Sequence, residues 1–385
     1  MKVVQIVPRL PPIIEGVGGY AVALGRVLAA GGIRSCFLVG DRDWGLTGEA
    51  AAGLAGATVI ERRPDAMAHQ LAATGAAAVL LHYVNYGYAP RGCPTWLVRG
   101  VARWRTGGPR RRLVTYFHEV YACGPPWRSS FWTSPLQRRL AAHLLRASDA
   151  AATSLRQYGR ILDRWRPSPA AVVAPVFSTV GEPAAVPPLE ERHPRSMLVF
   201  GSAAIRQRAY GDLREELIAA CRGLGIAEVV DMGPRFAAEM PARLDGLRVR
   251  VLGALPDAEV SAVLRRSYAG FLGYPAPFLA KSTVYAAYCA HGLVPICAWP
   301  WRRRGPPEER PPCWEPGREP APADPDGLAA RAWAWYGDHD LAHQAARLRA
   351  LLAGPVGEND AVPFADECRL PAARFPATGR TPPPA

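Results

Sequence analysis

Lysine is almost missing from this sequence: only Lys2 and Lys281 occur among 46 basic residues, and the other 44 are arginine. Long apolar runs are missing too, and without about 18 consecutive apolar residues no membrane-spanning helix is expected. The opening MKVVQIVPRLPP alternates into a short strand. It has neither the apolar stretch nor the small-residue cleavage site of a secretory signal, so the expected location is the cytoplasm. Cysteines are present but unpatterned. Cys36, Cys93, Cys123, Cys221, Cys289, Cys297, Cys313 and Cys368 show neither CxxC nor Cys/His ligand spacing. They read as free thiols, several of them in apolar runs, rather than as disulfides or a zinc site.

What is present is the composition of a globular protein, 49% hydrophobic and 21% charged over 385 residues. A chain of that length exceeds the size at which one core usually stops growing, so two domains of roughly 150 to 200 residues are expected. The net charge of +13 suits nucleic acid, an anionic membrane face or phosphorylated ligands. The basic clusters RWRTGGPRRR (103–112) and WRRRGPPEER (301–310) contain Gly and Pro, and neither is expected to lie on an amphipathic helix with interleaved aromatics. They read as solvated loop arginines, so nucleic acid is not expected as a partner, while peripheral membrane contact stays open.

Strands and helices alternate along the chain. VVQIV (3–7), a Pro/Gly-rich loop, the helical GYAVALGRVLAAGG and the apolar CFLVG (36–40) form a β-loop-α-β unit. The pattern continues through AAVLLHYV, RLVTYF and AAATS, breaks at GEPAAVPPLEERHPR (181–195), and restarts at MLVFG (197–201). Continuous apolar strands bounded by helices imply sheets covered on both faces. The expected fold is therefore α/β, two doubly wound Rossmann-like domains facing a central cleft. Residues 1–180 form the N-terminal domain, 181–195 the linker and 196–325 the C-terminal domain. A helix at 326–354, able to cross back to the N-terminal domain, precedes a Pro-rich tail at 355–385.

Ligands of open parallel sheets bind beyond the carboxyl ends of the strands, and four stretches fall there. EGVGGYA (15–21) places Gly18 and Gly19 at a helix entry, where backbone N–H groups can approach a phosphate. Gly16-x-Gly18-x-x-Ala21, with Asp41 after the second strand, also fits a dinucleotide fingerprint, except that PRLPPIIE separates strand from glycines. In VTYFHE, His118 and Glu119 fall at a strand end, suited to proton relay or to holding a substrate hydroxyl. His82, with Tyr83 and Tyr86 beside it, reads as a packing or acceptor-lining residue. Arg206 and Arg208, in FGSAAIRQRAYGDL, could clamp a diphosphate. Finally, Lys281-Ser282-Thr283 opens a helix. The glycines of a P-loop are missing before it, so the NTPase reading fails. A helix cap, or a phosphate held by the helix start and the lysine, remains.

Taken together, PPIIEGVGGYAVALGRVLAAGG, VTYFHE, AAATS, VRVLGALPDAEVSAVLRRSYAGFLGYP and AAYCAHGLVPI resemble the GT-B fold glycosyltransferases. The resemblance is to the retaining, nucleotide-sugar-dependent branch called family 4, or glycosyl transferases group 1. It implies a retaining hexosyltransferase that moves a sugar from a nucleotide-diphosphate donor in the C-terminal domain to an acceptor hydroxyl in the N-terminal one. The implied acceptor is a small molecule, a glycan or a lipid-linked sugar. His118 and Glu119 would be catalytic; Gly18, Gly19, Arg206, Arg208, Lys281, Ser282 and Thr283 would hold the donor phosphates; no metal or other cofactor is expected. One departure is marked. Two glutamates eight positions apart usually contact the donor in this branch, and alignment on Gly292 puts Leu279 and Ala287 there. A glycosyltransferase-like binding or scaffold protein is therefore the alternative, with a nicotinamide-dependent oxidoreductase as a third reading.

Overall fold

The computed structural model describes residues 1–13, 16–44, 54, 56–108, 110–235, 241–300 and 310–354. The expected tail at 355–385 lies outside the described residues. The N-terminal lobe alternates β1 (Lys2–Val7), α1 (Gly16–Ala30), β2 (Arg34–Val39), β3 (Thr58–Val59), α2 (Pro64–Ala73) and β4 (Ala78–Tyr83). It continues with α3 (Asn85–Tyr88), α4 (Thr95–Thr106), β5 (Arg112–Phe117), α5 (Ser129–Ala147), β6 (Ala150–Thr153), α6 (Arg156–Trp165) and β7 (Val172–Val173). Its strands form one parallel sheet in the order β3-β2-β1-β4-β5-β6-β7. The central strands β4 and β5 are buried at every residue, which is why they are nearly uninterrupted apolar text: helices cover both faces.

The C-terminal lobe repeats the plan with β8 (Ser196–Phe200), α7 (Ala203–Tyr210), α8 (Arg214–Gly223), β9 (Glu228–Met232), β10 (Arg243–Leu244) and β11 (Leu247–Gly253). Then come α9 (Asp257–Arg266), β12 (Ala269–Leu272), a 3-10 turn (Ala276–Lys281), α10 (Thr283–Ala290) and β13 (Val294–Cys297). The sheet order is β10-β11-β9-β8-β12-β13, with only β10 antiparallel among the described strands. Gly201 and Gly233 mark where β8 and β9 end side by side. Gly233 has φ +147°, and a Cβ there would stand 2.3 Å from the Gly201 carbonyl oxygen, so neither space nor backbone admits another residue.

The order of strands switches direction between β1 and β4 in one lobe and between β8 and β12 in the other, so both lobes carry a ligand crevice at their carboxyl edges. One apolar cluster runs from Tyr20 and Leu24 of α1 through Val176 and Phe177 to α10, joining the lobes. The chain between the lobes is not a loose tether. Arg192, 3% exposed, donates to the carbonyls of Pro187, Ser267 and His291, pinning the Pro-rich text against the C-terminal lobe.

The single helix expected at 326–354 is instead two, α11 (Pro325–Gly337) and α12 (Leu341–Ala353). The break has a local cause: Asp340 caps α12 by accepting from the His343 N–H at 2.8 Å, which requires a non-helical backbone at residue 340. α11 packs on α10 and β13, and α12 on α1 and β5. Arg112 of β5 donates to the Leu351 carbonyl at 2.6 Å. Seven cysteines among the described residues are free, with Cys297 and Cys313 sulfurs 3.1 Å apart.

Candidate functional site

Alternation along three neighbouring strands builds the site. Gln5, His82 and His118 follow Val3, Leu80 and Tyr116 at two-residue steps, so they share the sheet face that α1 covers. His82 Nε2 is 2.9 Å from Gln5 Oε1, and His82 Nδ1 is 3.1 Å from His118 Nε2. Gln5 Nε2 donates to Ser35 Oγ at 2.8 Å. With the Gln5 amide in this orientation, His82 carries its hydrogen on Nε2 and accepts from His118 Nε2–H, so the His118 lone pair lies on Nδ1. Turning the amide over reverses every donor in the chain. Burial pulls His82 down to about 3. His118 is held well below the usual imidazole range by burial, then by His82 and Lys281. Both rings are therefore neutral near pH 7. Tyr20 packs edge-on to both, at 5.8 and 5.4 Å between centroids.

Lys281 comes from the other lobe. Its Nζ donates to Glu119 Oε1 at 3.3 Å, closing an ion pair across the cleft between residues 162 positions apart. Burial would lower the Lys281 ammonium, but Tyr274, Tyr158 and Glu119 outweigh it and raise its pKa above the ordinary value. It stays charged. The cleft, about 210 Å3, is lined by Gly16, Val17, His118, Glu119, Lys281 and Thr283 among others. Thr283 opens α10, and its hydroxyl oxygen is 3.5 Å from where a Gly16 Cβ would be. The first turns of α1 and α10, one from each lobe, thus meet at the cation.

Several expected phosphate contacts are corrected. Arg206 does not face a cleft: it is 1% exposed and clamps Asp231 with two nitrogens, the Nε contact at 2.9 Å. A guanidinium so neutralised and enclosed is structural. Arg208 is half-buried, stacks 4.4 Å over Trp299 and donates to the Gly273 carbonyl at 3.2 Å, next to cleft-lining Tyr274. Ser282 caps α10, accepting from the Tyr285 N–H at 3.2 Å. Gly18 fits against the Arg9 carbonyl, which a Cβ would meet at 2.5 Å, and Gly19 packs near Thr179. Gly16 and Val17, rather than Gly18 and Gly19, line the cleft. Asp41 is engaged by Arg9 at 3.3 Å. Leu279 and Ala287 are fully packed in the core, 0% and 1% exposed, so the positions of the paired glutamates are apolar in space as well as in text.

Sequence reasoning does not single out Gln5 and Tyr274, and reads His82 as a packing or acceptor-lining residue. The available signal was a glutamine and a histidine inside otherwise apolar buried strands. Among the described residues no three His, Cys, Asp or Glu side chains converge as metal ligands, and no helix is long and apolar enough to cross a membrane.

No protein-family model and no curated protein matches the chain. Solved structures do match, and they carry the GT-B architecture of two facing Rossmann-like lobes. One is an alpha-glucosyltransferase in complex with UDP and a 13-mer DNA, 10% identical, TM-score 0.57, covering 92% of this chain and 100% of its own. The glycosyltransferase SnogD from Streptomyces nogalater is 15% identical, TM-score 0.52, with 91% and 99% covered. A Listeria monocytogenes protein described as a UDP-N-acetylglucosamine 2-epimerase is 14% identical, TM-score 0.54, with 91% and 95% covered. The fold of this chain is therefore GT-B, two doubly wound α/β domains. The expectation that nucleic acid is excluded as a partner is corrected by the same comparison, because structures sharing this fold hold DNA.

Proposed function

We propose that this chain transfers a sugar from a nucleotide-diphosphate donor to an acceptor hydroxyl. The observation that carries the reading is the convergence of His118, Glu119 and Lys281 from two lobes on one cleft. Breaking a sugar–phosphate bond leaves negative charge on the departing diphosphate, and fixed positive groups stabilise that charge as it develops. Lys281 and the N-terminal turns of α1 and α10 are such groups. Glu119 holds Lys281 until a diphosphate takes its place. His118, neutral and within the cleft wall, holds a hydroxyl of donor or acceptor through its outer nitrogen. Hexosyl transfer with retention, without a metal, is the course proposed from the resemblance.

The test is incubation of the purified protein with UDP-, GDP- and ADP-sugars, read by nucleotide release and by the anomeric proton of the product. Turnover confined to donors of one base is expected; an inverted anomeric signal would refute retention. The buried Leu279 and Ala287 favour a second reading, a binding or scaffold protein that has lost transfer. Tight nucleotide binding without release of nucleotide from any donor would select it.

A further inference from the structure

A second cavity, about 410 Å3, lies where α6, the 3-10 turn Ala276–Lys281 and the junction of α11 and α12 meet. It is distinct from the histidine cleft. Val176 donates to the Ala280 carbonyl at 2.9 Å. Pro175 and Ala280 line this cavity, while Val176 and Lys281 line the other. No residue is common to the two linings.

The wall carries Arg156, Arg160, Arg310 and Arg347 against one carboxylate, Asp338. Arg310 is held by Glu315 and Glu319, and Arg347 donates to the Asp338 carbonyl at 2.9 Å. Arg156, by contrast, is exposed with no partner among the described residues. Arg160 stands one helical turn along the same side of α6. α6 also begins here. Its cap position is Leu155, with no side-chain acceptor for the first-turn N–H groups, so the positive end of a helix of ten residues opens beside two guanidiniums.

A separate observation points to a ligand. Ser154 Oγ and His339 Nε2 belong to the same wall, in residues 1% and 3% exposed, and neither atom has a hydrogen-bond partner among the described residues. Buried polar atoms are rarely left unpaired without a reason. Burial and then Arg347 pull the His339 imidazole down to about 4, a bias that a bound anion would oppose.

We propose that this cavity binds a phosphate-bearing small molecule. Its phosphate sits at the α6 N-terminus, between the first-turn N–H groups, Ser154 Oγ and the Arg156 and Arg160 guanidiniums, a donor set suited to tetrahedral oxyanions. The volume exceeds that of a bare ion and falls in the range of small-molecule sites. Val173, Pro175 and Trp335 supply an apolar side for the organic part. Bound there, the ligand touches both lobes and the returning C-terminal helices. The inference does not depend on sugar transfer.

The test is titration calorimetry of the full chain with inorganic phosphate and with glucose 6-phosphate, in about 0.15 M chloride, where exposed charges more than ~8 Å apart are screened. Saturable one-to-one binding is expected, tighter for the sugar phosphate. Arg156→Glu/Arg160→Glu, at exposed positions that leave the fold intact by circular dichroism, should weaken it about tenfold or more. Ser154→Ala should weaken it less, and Lys281→Ala should leave it unchanged. No saturable binding, or binding indifferent to the α6 substitutions, overturns the proposal. So does loss in Lys281→Ala with the α6 variant unaffected, which would assign the anion to the histidine cleft. Equal affinity for the two probes would overturn the small-molecule part.

Discussion

His82 Nδ1 and His118 Nε2 stand 3.1 Å apart, one on β4 and the other just past the end of β5, in residues 0% and 8% exposed. The inner ring touches no solvent, so it acts on the cleft only through the outer one, and it sets which His118 nitrogen carries hydrogen. His82 is a positioning residue. His82→Leu is expected to lower the transfer rate about ten- to a hundredfold and to shift its pH profile, with nucleotide affinity unchanged. His118→Ala should cost about 10²- to 10⁴-fold. A His82→Leu enzyme with the parent's rate and pH profile would refute the relay.

Lys281 already has an anionic partner in Glu119, so a diphosphate must compete for it. Lys281→Ala is expected to weaken nucleotide binding about ten- to a hundredfold, the scale of one charge-assisted hydrogen bond. Glu119→Gln should tighten nucleotide binding several-fold, because the competitor is gone. Calorimetric titration with UDP, GDP and ADP reads both; unchanged binding in Lys281→Ala removes the lysine from the donor grip.

Arg206 and Arg208 should separate cleanly. Arg206→Ala leaves Asp231 charged in a site where its side chain is 0% exposed, and is expected to cost about 3 to 5 kcal/mol of stability. Arg208→Ala should change stability by about 1 kcal/mol or less. Urea unfolding of both variants checks the contrast.

Acid should unfold the protein through its buried imidazoles. His82, His118, His291 and His339 are held below the ordinary histidine range by burial, at about 3 for His82 and about 4 for His291 and His339. Unfolded histidine titrates near 6.5, so below that pH the unfolded chain binds more protons than the folded one. Stability is full above about pH 6.5 and falls as the pH drops towards 4, by up to about 1.4 kcal/mol per pH unit for each group. His82→Leu should flatten the slope seen in thermal melts between pH 6.5 and 4; an unchanged slope would show that His82 is not one of the groups responsible.

The architecture was legible because strands covered on both faces are mostly apolar, and β4 and β5 are written that way apart from His82, Arg112 and Thr115. His118, Glu119, Lys281 and Thr283 were legible because strand ends and helix starts are where an α/β sheet presents side chains. Arg206 was misread for a definite reason: its partner Asp231 lies 25 positions away at the end of β9, and no local pattern announces the pair. The relay was missed because Gln5 and His82 each look like a solitary polar residue until β1 and β4 are set side by side. The break between α11 and α12 was written in Asp340, but a cap within a continuous helical period is easily read through.

The return of α12 to the first lobe makes a second covalent crossing between the lobes, beside the one pinned by Arg192. Two bodies joined along a single thread can swivel freely, whereas two bodies bound at two places can only fold about the line between them, as a book does about its spine. That arrangement would confine any opening of the Lys281–Glu119 cleft to one angle, and the phosphate cavity proposed above sits against that spine. A ligand there would stiffen the angle without touching His82 or His118.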